Sequence, residues 1–279
     1  ATSLDDDDMP VFLIDGEYKD VNRNEHDYNQ KITIKGTQLK YFADTKYNDK
    51  APAIGIHYDG SSATDKEVLD YRITFEDGGI NADNLAGTDV PIMGNYYYVL
   101  SADNSTDVLE LLDSSATTVV SEGSPETLSV GGKDYTVSIQ YVSGTYVKFT
   151  VNGETTDKLV DGEDYELADG SYIALKENLY ETKDTGVSKA EFTIGTGKLT
   201  LKDGDEVEMN DSPIRGVTSE FGTFANTLNY IEIQWDVDDD VFLTDENTEA
   251  VMPGFNTMKV IYGGIDFPAD TEDTVFDAG

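Results

Sequence analysis

The sequence predicts an all-β protein, and three observations carry that prediction. Apolar and polar residues alternate in short runs such as DYTVSIQYV (134–142) and TYVKFTV (145–151), and this two-residue period is typical of half-buried antiparallel strands. Turn-forming pairs separate the runs, most clearly Asn152-Gly153, because both residues tolerate the positive φ of a tight hairpin. Helix signals are scarce: even residues 102–113 fit a strand nearly as well as a helix, and we assign a strand there.

The middle of the chain has the most regular strand pattern. The segments SYIALKENLYET (171–182), KAEFTI (189–194) and GKLTLK (197–202) continue the alternation, with Asp-Gly turns nearby. Short strands separated by regularly spaced turns are typical of a β-sandwich. Residues 126–212 are therefore predicted to form an immunoglobulin-like β-sandwich of seven or eight strands.

The two flanks are more irregular and richer in Asn, Asp and Pro. Residues 1–125 form a predicted N-terminal β region, and residues 213–279 form a predicted C-terminal β region. Their strands, such as VFLI (11–14) and YIEIQWDV (230–237), are too few for two independent cores. We therefore expect one discontinuous β domain with the sandwich module inserted in it. The alternative is a sandwich flanked by two separate units.

The chain is strongly acidic, which limits its partners. It has 56 Asp and Glu against 19 Lys and Arg, a net charge of −37 over 279 residues. Such a chain repels itself unless counterions, high salt or bound divalent cations neutralise it. Nucleic acids and anionic membranes require a basic surface, so we expect both to be poor partners and predict no nucleic-acid partner. A high net charge is also a mark of disorder, but 17 Tyr and 11 Phe supply a core, so we expect a folded chain.

The densest acidic stretch, DVDDDVFLTDENTE (236–249), contains seven carboxylates and no Lys or Arg. On a strand, Asp236, Asp238 and Asp240 would share one face, where neighbouring carboxylates repel unless a cation bridges them. Hard cations prefer oxygen ligands, so calcium is the predicted cofactor at these three residues. The stretch is not an EF-hand, because Val241 stands where that loop needs Gly. A solvated acidic loop is the alternative.

Cysteine usage and sequons indicate the compartment. Cysteine is absent, which excludes disulfides, zinc–thiolate sites and thiol catalysis. No apolar run approaches the ~20 residues that cross a bilayer, so no transmembrane segment is predicted. Ala1 opens the chain without Met, as in a processed mature protein. Asn104 and Asn210 begin Asn-x-Ser/Thr sequons and are the predicted glycosylation sites of an extracellular protein.

The sequence offers no catalytic signature. His26 and His57 lie 31 residues apart, without metal-ligand spacing, and no G-x-S-x-G nucleophile motif occurs. Carboxylate pairs of the kind that glycosidases use cannot be singled out among 56 acidic residues. The chain is therefore predicted not to be an enzyme.

Aromatic residues indicate a binding surface of one of two kinds. Tyr96, Tyr97 and Tyr98 follow one another on a predicted strand, so at least one ring faces outward, and Trp235 adjoins the acidic stretch. Aromatic residues are enriched at subunit interfaces, and we favour that role. The alternative is stacking on sugars, with Trp235 and Tyr97 as the residues that would hold a glycan.

Several segments share one recurrent pattern of strands and turns. They are GNYYYVLSAD with STDVLELLDSS (94–115), LSVGGKDYTVSIQYV (128–142), VKFTVNGE (147–154), LADGSYIALKENLY (167–180) and AEFTIGTGKLTLKDGDEVEM (190–209). Together they resemble archaeal surface-layer proteins of the β-sandwich type, over roughly residues 90–212. The segment NTMKVIYGGIDFP (256–268) resembles them more weakly. The shared features are packing and turn patterns, so the resemblance supplies no site residues. It implies a cell-surface protein that self-assembles into a sheet or an appendage.

The expected function is therefore structural: an extracellular subunit of a surface layer, sheath or filament, whose partners are copies of itself. Pairing of strand edges and cations between acidic faces are the expected contacts. Within residues 1–20, the segment MPVFLIDGEYK (9–19) either donates a strand to a neighbouring subunit or forms an edge strand of its own sheet. The alternative function is a secreted carbohydrate-binding or adhesive module, with cell-surface glycans as partners.

Overall fold

The computed structural model describes residues 2–35, 38–42, 53–113, 116–182, 186–222, 227–244, 249–255 and 258–264. In these residues strands dominate and no α-helix occurs, so the predicted all-β class is confirmed. The one helical turn described is a 3₁₀ helix, Ala82–Asn84, which Asn81 caps by accepting a hydrogen bond from the Asp83 N–H. No helix in this part of the chain has the length and apolar character needed to cross a bilayer.

The described residues form 24 strands, which pair into five antiparallel sheets. In chain order they are β1 (Thr2–Leu4), β2 (Gly16–Lys19), β3 (Glu25–Ile34), β4 (Gln38–Phe42), β5 (Ala53–Tyr58), β6 (Glu67–Phe75), β7 (Asp89–Ile92), β8 (Asn95–Asp103), β9 (Val108–Asp113), β10 (Ala116–Ser121), β11 (Glu126–Val130), β12 (Lys133–Val142), β13 (Val147–Val151), β14 (Glu154–Thr155), β15 (Asp164–Glu166), β16 (Tyr172–Leu179), β17 (Lys189–Gly195), β18 (Gly197–Lys202), β19 (Glu206–Met209), β20 (Ser212–Gly222), β21 (Tyr230–Asp236), β22 (Val241–Leu243), β23 (Glu249–Val251) and β24 (Lys259–Ile261).

The largest sheet has eleven strands in the order β1-β3-β6-β21-β20-β19-β18-β9-β8-β7, with β2 also paired to β3. The hydroxyl of Tyr71 on β6 donates a hydrogen bond to Gln30 on β3 and lies 3.5 Å from the carbonyl oxygen of Pro91 on β7. Because β6 and β7 are far apart in the strand order, this contact shows that the sheet folds back on itself. The apolar side chains between its two halves, such as Ile73 and Val90, are fully buried.

Two four-stranded sheets form a β-sandwich between residues 116 and 195. Their orders are β10-β17-β16-β15 and β11-β12-β13-β14. The alternation read from the sequence points the apolar residues of both sheets inward, where Val120, Phe149 and Phe192 belong to one buried cluster. The rings of Phe149 and Phe192 meet across the two layers with centroids 5.5 Å apart. The β-sandwich is thus present, and the finer immunoglobulin-like assignment stays a prediction.

The sandwich is inserted between two neighbouring strands of the large sheet. β9, which precedes it in the chain, pairs with β18, which follows it, and Gly197 lies opposite Asp113. The junction is tight, because a Cβ at Gly195 would lie 2.9 Å from the Cβ of Leu112, closer than side-chain atoms approach. A small cluster of Tyr98, Leu100 and Leu112 with Tyr172 and Ala174 of the sandwich is buried at the junction.

The described contacts divide the chain into two compact units. Unit 1 comprises Ala1–Lys35 and Glu67–Asp236, and contains both the large sheet and the sandwich. Unit 2 comprises Gly36–Lys66 and Val237–Gly279. It contains a three-stranded sheet of order β22-β5-β4 and the two-stranded pair β23-β24. The domain boundaries drawn from the sequence, after residues 125 and 212, stay predictions.

Two local predictions have opposite outcomes. The hairpin at Asn152-Gly153 is confirmed, since their φ angles are 50° and 92° and they join β13 to β14.

The prediction of a strand at residues 11–14 is wrong. These residues form turns, in which the N–H groups of Phe12 and Leu13 both donate to the carbonyl of Met9, at 3.1 and 2.9 Å.

Candidate functional site

The acidic stretch 236–249 does not lie on one strand face, which corrects the expected arrangement. β21 ends at Asp236, and β22 begins only at Val241. Asp238 lies in a bend between the two strands, and Asp240 precedes β22 without regular structure. The apolar period of β21 stops at Asp236, and the run of acidic residues that follows forms an irregular connection.

Asp240 lies near a histidine of unit 2. Its Oδ1 is 3.8 Å from Nε2 of His57, and Nδ1 of His57 is 2.8 Å from Nζ of Lys40. Phe242 stacks on the imidazole, with ring centroids 4.2 Å apart. An ammonium group can only donate hydrogen bonds, so Nδ1 accepts and a neutral His57 carries its proton on Nε2, on the side of Asp240. Nε2 then has no lone pair for a metal ion.

The described residues do not gather a ligand set for calcium. Among them, no group of three or more His, Asp or Glu side chains is close enough together to hold a metal ion. Residues 245–248 of the acidic stretch lie outside the described residues. Calcium at Asp236, Asp238 and Asp240 therefore stays a prediction.

Both predicted glycosylation sites lie in turns. Asn104 starts the turn between β8 and β9, where its amide donates to a carboxylate oxygen of Asp83 at 3.2 Å. Asn210 lies in the turn between β19 and β20 with φ of 52°, and its side-chain oxygen accepts a hydrogen bond from the Lys198 N–H at 2.8 Å. Asn210 is exposed and Asn104 is half-buried. Glycosylation of either residue stays a prediction.

The structure places the two proposed sugar-stacking residues in the core. Trp235 is 2% exposed and Tyr97 is 4% exposed, so neither ring can stack on a ligand. The expectation that one ring of the Tyr96–Tyr98 run faces outward is met by Tyr96, which is 61% exposed. The sequence contains a signal for the burial of Trp235, because the two-residue period puts it on the same face as Ile231 and Ile233.

Three tyrosines that the sequence analysis did not assign to a site form a patch on the sandwich, two of them exposed and Tyr146 half-buried, which we call the tyrosine patch: Tyr141, Tyr146 and Tyr180. Tyr141 and Tyr146 stack with centroids 5.4 Å apart and planes 24° apart, and the pKa of Tyr141 is raised mainly by the Tyr146 hydroxyl. Lys158 Nζ lies 4.5 Å from the Tyr146 ring centre. Tyr141 and Tyr180 are 51% and 45% exposed, so the patch offers ring surface to a partner.

A buried carboxylate ties two loops of unit 1 together. Asp20 has a side chain that is 1% exposed. It accepts hydrogen bonds from the Asn22 and Asn24 N–H groups and from the Asn24 and Asn84 side-chain amides, at 2.8 to 3.1 Å. Burial alone would raise the pKa of Asp20, but the hydrogen bonds from Asn24, His26 and Asn22 outweigh it and the net pKa lies below the ordinary value. Four donors occupy the acceptor positions of the carboxylate, so its role is structural.

No protein-family profile, curated protein or solved structure matches this chain.

Proposed function

We propose that the chain is a structural protein of the cell surface, not an enzyme, that assembles with copies of itself into a surface layer, sheath or filament. The observation that carries the proposal is that the sheets are open. Every sheet in the described residues ends in strands that pair on one side only. An unpaired edge presents a row of main-chain N–H and C=O groups, which a strand of another copy can bind.

The way in which the sandwich is attached suits a structural role. Two adjacent strands, β9 and β18, lead into and out of it, and the junction packs closely at Gly195 and Leu112. A module joined by two paired strands and a buried cluster keeps its orientation better than one on a single flexible linker. A contact between the sandwich and another copy would therefore also fix the orientation of the large sheet.

The charge of the chain defines the conditions for assembly. With a net charge of −37, copies repel one another at low ionic strength, and added ions reduce that repulsion over a Debye length of about 10 Å at 0.1 M salt. Assembly should therefore increase with ionic strength. This dependence fits a protein that works outside the cell in a medium rich in salt.

Light scattering and negative-stain electron microscopy test the proposal directly. Purified protein would be examined over a range of concentrations in sodium chloride, in calcium chloride at matched ionic strength, and with chelator. The expected result is ordered polymers, or dimers that grow into them, at high ionic strength. A monomer under every one of these conditions would show that the proposal is wrong.

A secreted carbohydrate-binding or adhesive module is the second candidate function, and the tyrosine patch favours it. The exposed rings of Tyr141 and Tyr180 present apolar surface with a hydroxyl group at the edge, and a surface that is apolar at one end and polar at the other suits a sugar ring. The site would be Tyr141, Tyr146 and Tyr180, since Trp235 and Tyr97 are buried.

Retention on immobilised polysaccharides tests this second candidate. Replacing both Tyr141 and Tyr180 by Ala should abolish retention, whereas Tyr96→Ala, which removes an exposed ring elsewhere, should leave it unchanged. Equal retention of both variants, or no retention of the wild type on any polysaccharide, would exclude the tyrosine patch as a glycan site.

A further inference from the structure

The edge strands of the described sheets are protected unequally against pairing with another chain. Native edges are usually short, or carry charged residues or proline. Charge or proline occurs in β2 (GEYK), β4 (QLKYF), β7 (DVPI), β11 (ETLSV), β14 (ET), β15 (DYE), β23 (EAV) and β24 (KVI), and β1 (TSL) and β22 (VFL) have only three residues each. β10 (ATTVVS) has six residues and neither charge nor proline. Among the described edges, β10 alone lacks every one of these protections.

The position and the side chains of β10 suit pairing with a further strand. It forms six residue pairs with β17 and ends the strand order of its sheet. Val120 is fully buried in the sandwich core, whereas Val119 is 39% exposed and Thr117 is also exposed. Val and Thr favour the extended conformation. The outer side of β10 therefore combines extended backbone with β-branched side chains.

β10 carries no charged residue, and its partner strand β17 carries one Lys and one Glu, whereas Glu122 follows β10 and Glu177 on β16 lies opposite Glu191. Val119 lies opposite Glu191 on β17, but a carboxylate oxygen of Glu191 is 3.9 Å from Nζ of Lys176. Lys189 lies opposite Ser121. Two copies with a net charge of −37 each repel one another less where acidic residues are sparse, and β10 itself contributes no charge to the contact. Charge therefore favours a second copy of this chain as the partner of β10.

We propose that two copies of the chain join through β10, by antiparallel pairing of β10 with β10 of the second copy. This inference rests on the proposed self-assembly and names its surface. With Val119 at the two-fold axis, Val119 lies opposite Val119 and Thr118 lies opposite Val120 of the other copy. Opposite residues in an antiparallel pair point to the same side, so this register keeps both cores on one side and makes one continuous sheet. A two-fold contact closes on itself, so polymers need a second surface.

Substitution of Val119 by Lys tests the pairing. A lysine on each copy would bring two like charges together at the axis, which opposes association. We expect Val119→Lys to raise the dimer dissociation constant in sedimentation experiments by at least about tenfold, a change of ~1.4 kcal/mol. The matched control is Val160→Lys, because Val160 is 43% exposed and lies outside the strands. It makes the same charge change and should leave the dissociation constant unaltered.

A cysteine at the same position gives a readout that does not depend on how stable the lysine variant is. The wild-type chain has no Cys, so a disulfide in Val119→Cys can form only between copies. Opposite Cβ atoms in an antiparallel pair are about 4.5–5.5 Å apart, and a disulfide brings them to about 3.5–4.5 Å, so an approach of about 1 Å between the two edge strands closes the bond. Mild oxidation should give a covalent dimer with Val119→Cys and none with Val160→Cys.

The outcomes separate this inference from the proposed function. If the wild type assembles, Val119→Lys assembles equally well and Val119→Cys does not cross-link, β10 is not the contact although self-assembly stands. If Val119→Lys fails to fold, cross-linking of Val119→Cys decides. If the wild type stays monomeric at every concentration and ionic strength, both proposals are wrong.

Discussion

Removal of the Trp235 side chain should lower the free energy of unfolding much more than removal of the Tyr96 side chain. Trp235 is 2% exposed and Tyr96 is 61% exposed. We expect Trp235→Ala to lower the free energy of unfolding by about 3–5 kcal/mol, because it leaves a large cavity in the core. Tyr96→Ala should change it by no more than about 0.5 kcal/mol. Urea unfolding followed by circular dichroism measures both, and a loss below about 1 kcal/mol for Trp235→Ala would contradict the burial of this side chain in the core.

The carboxylate of Asp20 should make stability depend on pH. Its pKa is lowered in the folded protein by hydrogen bonds, chiefly from Asn24. A lowered folded pKa means that the contribution is complete above the unfolded Asp pKa of about 3.9 and is lost as the pH falls through the folded value. We therefore expect Asp20→Asn to lower the free energy of unfolding by about 1–3 kcal/mol at pH 7, with a smaller difference from wild type below about pH 4.

The control for Asp20 is an exposed aspartate, because the whole chain also loses negative charge in acid. Asp134→Asn removes one carboxylate at an exposed position of β12. Its difference from wild type should be small at pH 7 and remain small in acid. If the Asp20→Asn difference is the same at pH 7 and at pH 3, the hydrogen-bonded carboxylate is not its source.

At the scale of a single element, the hairpin between β13 and β14 depends on Gly153. Its φ is 92°, and a Cβ built there would meet no atom within 4 Å. Any cost of Gly153→Ala would therefore come from backbone conformation, which for an L-residue in this region is about 1–2 kcal/mol. We expect the urea midpoint to fall by the corresponding amount.

The matched control for the hairpin is Gly144→Ala in the same sandwich. A Cβ at Gly144 would make an ordinary contact 3.5 Å from the Tyr180 ring, and its φ is not positive. That variant should unfold at the wild-type midpoint or slightly above it, since alanine restricts the unfolded chain. Equal losses for the two variants would mean that φ is not the cause.

At the scale of the whole molecule, repulsion among acidic residues limits stability. The net charge is −37, and raising sodium chloride from 0.1 to 1 M shortens the Debye length from about 10 to about 3 Å. We expect the midpoint of thermal unfolding to rise over this range by several degrees, at roughly 2–4 °C for each kcal/mol gained. A midpoint that does not respond to salt would show that repulsion among the acidic residues does not limit the stability of the folded chain.

The calcium hypothesis predicts a further effect beyond screening. Calcium chloride should raise the unfolding midpoint more than sodium chloride at equal ionic strength, because an ion that binds only the folded state stabilises it. Asp238→Asn with Asp240→Asn should remove that excess, and Asp134→Asn should not. Equal effects of the two salts on the wild type would contradict a specific site.

The strands of this protein were largely predictable from local pattern. The alternation in GKLTLK is enough to place β18 at Gly197–Lys202, because a period of two residues is a property of the chain itself. The turn at Asn152-Gly153 was predictable for the same reason. Residues 11–14 were not, because an apolar run has no period, and Leu13 is buried from within a turn while Val11 is 86% exposed.

The candidate site was less predictable, because it depends on which strands lie at edges and which lie between layers. Tyr97 is 4% exposed although β8 lies next to the end strand β7 of its sheet, and no local pattern reveals this burial. The tyrosine patch joins residues from β12, the following turn and the end of β16, and β10 gains its significance only from its place at the end of a sheet.

The sequence by itself determined that the chain is acidic, free of cysteine and built from short antiparallel strands, because charge, composition and two-residue periodicity are local properties. Tertiary structure alone decided that the sandwich is inserted between β9 and β18, that Trp235 lies in the core and that β10 lies at the edge of its sheet. These features follow from contacts between residues far apart in the chain, whose outcome depends on the packing of whole sheets.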